Sequence, residues 1–183
     1  MSAARASSNT TALKPWEISY IGTHSPSGYA GNPPYASVFV TISDPNTIFI
    51  ASTRFGDAEF PSSTANCSVR WLTATDNPYG WINTCTDIYF GKWTVEVLKR
   101  NDTDWPSATE NFLLGFTLTE AVILNSGTIS KTWAGTGAFA VGENLGGSCG
   151  GSGVCNWGLE DEKRPVLVNQ TLIETRCLAG TCE

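Results

Sequence analysis

Few residue groupings in this chain have the types and spacing for covalent chemistry, and each also has a plainer explanation. Gly146-Gly147-Ser148-Cys149-Gly150 fits G-x-S-x-G, in which glycines let a serine stand on a strained turn between a strand and a helix. Gly151-Ser152-Gly153 follows in place of a helix, and the one histidine, His24, precedes the serine, whereas that hydrolase order puts histidine last. A flexible loop closed by a disulfide accounts for the segment. His24 neighbours Ser25, Pro26 and Ser27 in an expected loop with no identifiable activated nucleophile, which suits an exposed side chain better than a triad member. Glycoside hydrolysis needs two carboxyls about 5 to 10 Å apart. Glu17, Glu96, Glu110 and Glu174 fall on expected strands, where most such glutamates simply form the wet face. Glu160-Asp161-Glu162 and the pair Asp102 and Asp104 offer hard oxygens without the ligand spacing of a calcium loop. The expectation is a protein that is not an enzyme, with no catalytic residue, metal or cofactor.

What remains is chemistry of export and binding. Six cysteines, Cys67, Cys85, Cys149, Cys155, Cys177 and Cys182, are even in number and lack the C-x-x-C spacing common in zinc sites, so disulfides are expected. Six cysteines allow 15 pairings, and spacing alone leaves them all open. Sequons at Asn9, Asn66, Asn101 and Asn169 suit a secreted glycoprotein from a eukaryote. Met1 to Asn9 lacks an apolar signal core, so a natural signal is expected to have been removed. Seven tryptophans invite a sugar-stacking role, since flat aromatic faces can cover sugar rings. Most should be core. Trp105, before Pro106, and Trp157, after the cysteine loop, lie in expected loops and are the two binding candidates.

With 17 carboxylates against 11 Lys plus Arg, there is no cationic surface for a phosphate backbone or an anionic membrane. No apolar run approaches the roughly 20 residues of a membrane helix. Charged residues make up only 15% of the chain, and its many Gly, Ser, Thr and Asn residues favour strands joined by turns. One domain over residues 15–183 is expected, after a disordered polar tail at 1–14.

Period-two alternation places the strands. Trp16, Ile18 and Tyr20 alternate with Glu17 and Ser19. The proline-rich stretch from His24 to Pro34 must be a surface loop. Tyr35 to Ser43 and Thr47 to Thr53, around Asp44-Pro45-Asn46, suggest a hairpin. Cys67 to Leu72 is extended, and Asp87 to Arg100 alternates with a phase slip at Gly91. Thr109 to Thr119 puts Phe112, Leu114, Phe116 and Leu118 on one face, after which Glu120 to Asn125 suits a helical turn. Gly127 to Val141 and Pro165 to Cys177 complete an antiparallel sandwich or barrel of roughly eight to ten strands.

Four features, Trp16-Glu17-Ile18, the strand Val38 to Ile42, the Cys67 to Cys85 excursion with Trp71 and Trp81, and the Gly/Ser-rich loop from Cys149 to Cys155, give the chain a layout that resembles the fungal Alt a 1-like family. The likeness would run from about Lys14 to Thr175. It implies a secreted β-barrel related to allergens and plant-immunity elicitors. It also implies bridges Cys67 with Cys85 and Cys149 with Cys155. Cys177 and Cys182 depart from that pattern, and nearest-neighbour order would pair them with each other. The implied role is an effector or elicitor, monomeric, acting by binding a host protein or cell-wall component. The competing roles are a carbohydrate-binding module or a secreted glycoside hydrolase. If the sequons are used, protein from a eukaryotic secretory host should run heavier than its polypeptide mass and shift on glycan removal, with Asn101 the leading site.

Overall fold

The computed structural model describes residues 12–180, so Asn9, Cys182 and most of the expected tail lie outside the described residues. At residues 12–14 the chain is exposed. The main chain of Lys14 is already anchored, its N–H donating to Asn46 Oδ1 and its carbonyl accepting from Asn46 Nδ2 and Gln170 Nε2.

The first sheet runs through β1 (Trp16–Ser25), β2 (Tyr35–Asp44) and β5 (Ser63–Leu72). β2 pairs with β1 on one edge and, over its whole length, with β5 on the other. The hairpin expected between Tyr35 to Ser43 and Thr47 to Thr53 therefore does not form. Both edges of β2 are occupied, and β3 (Ile48–Thr53) pairs instead with β4 (Gly56–Phe60) as a separate two-stranded ribbon. The other edge of β1 receives β11 (Cys155–Leu159), and β11 in turn receives β10 (Leu145–Cys149).

The second sheet follows the order β13-β9-β8-β7-β6, formed by β13 (Thr171–Gly180), β9 (Gly127–Ala140), β8 (Asn111–Ile123), β7 (Gly91–Lys99) and β6 (Ile82–Thr84). The inner faces of the two sheets share one core. Phe112, Leu114, Phe116 and Leu118 are buried on β8 as the alternation predicts, opposite Val38, Val40, Ile42 and Val69. Trp16 and Trp93 meet edge to face across the core, with ring centroids 4.6 Å apart, and Phe60 meets Trp133 similarly. Such ring pairs contribute about 1 kcal/mol beyond the area they bury.

The chain is an antiparallel β sandwich, and its described sheets do not close into a barrel. Thirteen strands occur among the described residues, above the expected eight to ten because strands of three to five residues leave too little pattern to read. The last expected strand, Pro165 to Cys177, divides in two. β12 (Val166–Val168) pairs with β1 in the first sheet, whereas β13 crosses to the second. Val168 is accordingly buried while Leu172 is exposed. The expected strand from Asp87 begins only at Gly91, since residues 87–90 turn.

Both implied bridges are present, Cys67 with Cys85 and Cys149 with Cys155. Cys177 is disulfide-bonded as well. The first bridge spans 18 residues and is buried, whereas the second spans 6. By loop-closure entropy these contribute roughly 3 and roughly 2 kcal/mol. Replacing Cys67 and Cys85 by alanine should lower the melting temperature more than replacing Cys149 and Cys155, as calorimetry of the two double variants will show.

Candidate functional site

The sequence-flagged nucleophile and base come to rest on neighbouring strands of one sheet. In register across β10, β11 and β1, Ser148 lies opposite Asn156 and Asn156 opposite His24. Two interstrand spacings put Ser148 about 10 Å from His24, with Asn156 between them. The His24 ring contacts Asn156 Oδ1 through Nδ1 at 2.8 Å. The Gly-Ser segment is thus a hairpin flank tied by Cys149–Cys155, with no helix after it. Gly147 is required there, because a β-carbon would stand 2.2 Å from the carbonyl oxygen of Asn156.

The four glutamates do not converge. Glu17 is on the first sheet and Glu96 and Glu174 are on the second. Within that second sheet β8 and β9 separate β7 from β13, so Glu96 and Glu174 are about 14 Å or more apart, beyond the span glycoside hydrolysis uses. Glu174 forms an ion pair with Arg176. Glu110 lies within reach of Cys149 and Cys155, but sulfurs joined in a disulfide are not thiolate ligands. Asp102 pairs with Arg100, and Asp161 pairs with Arg164.

The two tryptophan candidates separate. Trp105 is 81% exposed. Trp157 is not an open binding surface: opposite Thr23 on the inner side of β11, it packs against the core. Of the sequons, Asn66, Asn101 and Asn169 are exposed. The Asn66 side chain is engaged, accepting from Thr41 Oγ1 at 2.8 Å.

No family model matches the chain, and no curated protein or solved structure matches it either.

Two features that sequence reasoning missed stand out. The first is the outer face of the β10-β11-β1-β2-β5 sheet. A register shift between Ile18 and Tyr20 breaks the expected alternation, so Ile21 turns inward and Tyr20 outward. One cross-strand row then reads Gly146, Gly158, Gly22, Phe39, Ser68. The Tyr20 phenol lies over Gly22, with its hydroxyl 2.6 Å from where a β-carbon would be. Phe39 stands beside it, half exposed, and Arg70 stacks over the Tyr35 ring at 4.0 Å.

The second feature is Glu120. The strand continues past Thr119, so the expected helical turn is absent and Glu120 extends the inward series Phe116, Leu118. Carrying the period of two one step further would have found it. Glu120 is 2% exposed, and its Oε1 has no hydrogen-bond partner. It lines a cavity of about 240 Å3 with Ser63, Thr64, Asp87, Tyr89 and Phe90. Gly91 lets residues 87–90 approach, since a β-carbon there would stand 2.9 Å from the Cα of Glu120. Burial, with the nearby Asp44 charge adding to it, pushes the carboxyl up to about 8.

A carboxyl raised on folding binds its proton more tightly in the native state, so its stabilising contribution is complete below about pH 4.5 and is lost as pH rises through about 8. Glu120→Gln keeps the shape without the charge. Its melting temperature should match wild type near pH 4.5 and exceed it increasingly toward pH 9, a divergence that calorimetry across that range will read. Parallel curves would show that Glu120 does not titrate in this window.

Proposed function

We propose that this protein is a secreted, non-catalytic recognition protein of the effector or immune-elicitor kind, monomeric, which binds a host protein or cell-wall component. The observation that carries the reading is the outer face around Tyr20, Phe39 and the stacked Arg70–Tyr35 pair. Aromatic rings and arginine, held flat by a sheet and bordered by bare glycines, offer contact area with little side-chain freedom to lose on binding. The disulfides suit an oxidising compartment, and no helix among the described residues is long and apolar enough to cross a membrane. The resemblance to the Alt a 1-like family supplies the biological setting.

A carbohydrate-binding role is the second reading, favoured by the Tyr20 ring over Gly22, an arrangement on which a sugar ring can stack. A glycan at Asn66 would stand on this same face, since Asn66 is in register with Thr41 of β2, so occupancy there would compete with binding.

Infiltration into leaves and a glycan array separate these readings. Tyr20→Ala with Phe39→Ala should reduce whichever response wild type gives by on the order of tenfold or more, as each stacked ring contributes about 1 kcal/mol. A glycan signal lost in the variant supports the carbohydrate reading, whereas a leaf response without glycan binding supports a host protein. Undiminished activity in the variant would rule out this face.

A further inference from the structure

We propose that the cavity beneath Glu120 is a binding site for a small organic cation bearing an alkylammonium group, with Glu120 as its counter-charge. The site is separate from the outer aromatic face and does not depend on that reading.

Three observations converge on it. A carboxyl enclosed to 98% lines a cavity of about 240 Å3 and keeps its Oε1 without a hydrogen-bond partner, and a buried polar atom left unsatisfied costs about 1 to 3 kcal/mol. Two acidic groups lie near it: Asp44 from β2 acts on Glu120, and Asp87 lines the cavity. Lys131 is opposite Glu120 in the β8–β9 register and Lys92 follows Gly91 on β7, yet neither forms an ion pair with it among the described residues. The mouth carries Tyr89, 89% exposed and edge-on to Phe90 at 4.5 Å, and aromatic faces attract cations within about 6 Å.

The same geometry selects the kind of cation. Among the described residues the Asp44, Asp87 and Glu120 oxygens do not all gather within 4.8 Å, as a shared calcium shell with ligands at about 2.3–2.6 Å would require. An ammonium on an alkyl stem suits one deep carboxyl and an aromatic rim. Binding such a cation requires Glu120 to give up its proton, so binding couples to pH.

Titrating the intact protein with cadaverine at constant ionic strength, by calorimetry or NMR shift changes, tests the assignment. A dissociation constant below about 10 mM at pH 8.5 is expected for a ligand of this size. The association constant should rise about tenfold per pH unit from 6 toward 8 and then level, since the ammonium itself titrates only near 10.4. 1,5-Pentanediol, its uncharged analogue, should not bind. Glu120→Gln should weaken binding at least tenfold at pH 8.5 and abolish the pH slope. Tyr89→Ala, at an exposed position, should weaken it about two- to fivefold. No cadaverine binding, equal binding of the diol, or an unaltered Glu120→Gln variant would each overturn the proposal.

Discussion

Both sheets are referenced to one buried polar contact, in which the Trp16 indole N–H donates to Asp44 Oδ2 at 3.1 Å while both residues are almost wholly enclosed. A buried carboxylate is tolerable only if its oxygens are occupied, and here they are. Oδ1 accepts from the Asn46 backbone N–H and from its amide group. Asn46 also fixes the main chain of Lys14, at the entrance to β1. The contact therefore fixes where β1 starts, how β2 ends and how the Trp16 ring is turned. With the ring so turned, its edge meets Trp93 from the second sheet. Gly135 on β9 permits the approach, since a β-carbon there would stand 3.1 Å from Trp16.

Two consequences follow for the surfaces. Trp16 and Ile18 pair with Val168 and Val166, so the edge of β1 near its start belongs to β12, while the stretch from Gly22 to Ser25 belongs to β11. The register shift after Ile18 falls between these two partners. It turns Tyr20 onto the outer face without exposing Ile21, and thereby builds the aromatic platform from a strand that otherwise serves the core. Asp44, for its part, places its charge near Glu120 and opposes ionisation there.

The fold was legible where alternation was long and uninterrupted. Tyr35 to Ser43, Thr109 to Thr119 and Gly127 to Val141 each fall within an observed strand to within a few residues at its ends. Legibility failed where one residue changed the phase or the partner. The bulge before Tyr20 is silent in sequence because serine and tyrosine suit either face of an amphipathic strand. The β2–β3 hairpin was inferred from Asp44-Pro45-Asn46, a sound turn signal, but pairing depends on which edges are free, and β5 takes that edge over ten residues. Glu120 was hidden by its own chemistry: a carboxyl after an apolar run usually marks an exit from the core, and here the strand carries it inward.

The packing around that inward glutamate leaves its Oε1 without a hydrogen-bond partner. Its neighbours in the alternation, Leu118 and Val122, are apolar and buried, and a leucine at 120 would continue their face without an orphaned oxygen. Residues 87–90 approach it through Gly91, where a β-carbon would meet the Thr119 carbonyl and the Glu120 Cα, and they line the cavity beside the carboxyl. The edge-to-face Trp16–Trp93 pair and the buried Cys67–Cys85 bridge stabilise the domain by more than one uncompensated polar atom costs. A buried carboxyl lining a cavity beside a second acidic residue, with aromatic rings at the mouth, is the pattern of a site whose counter-charge arrives from outside the chain.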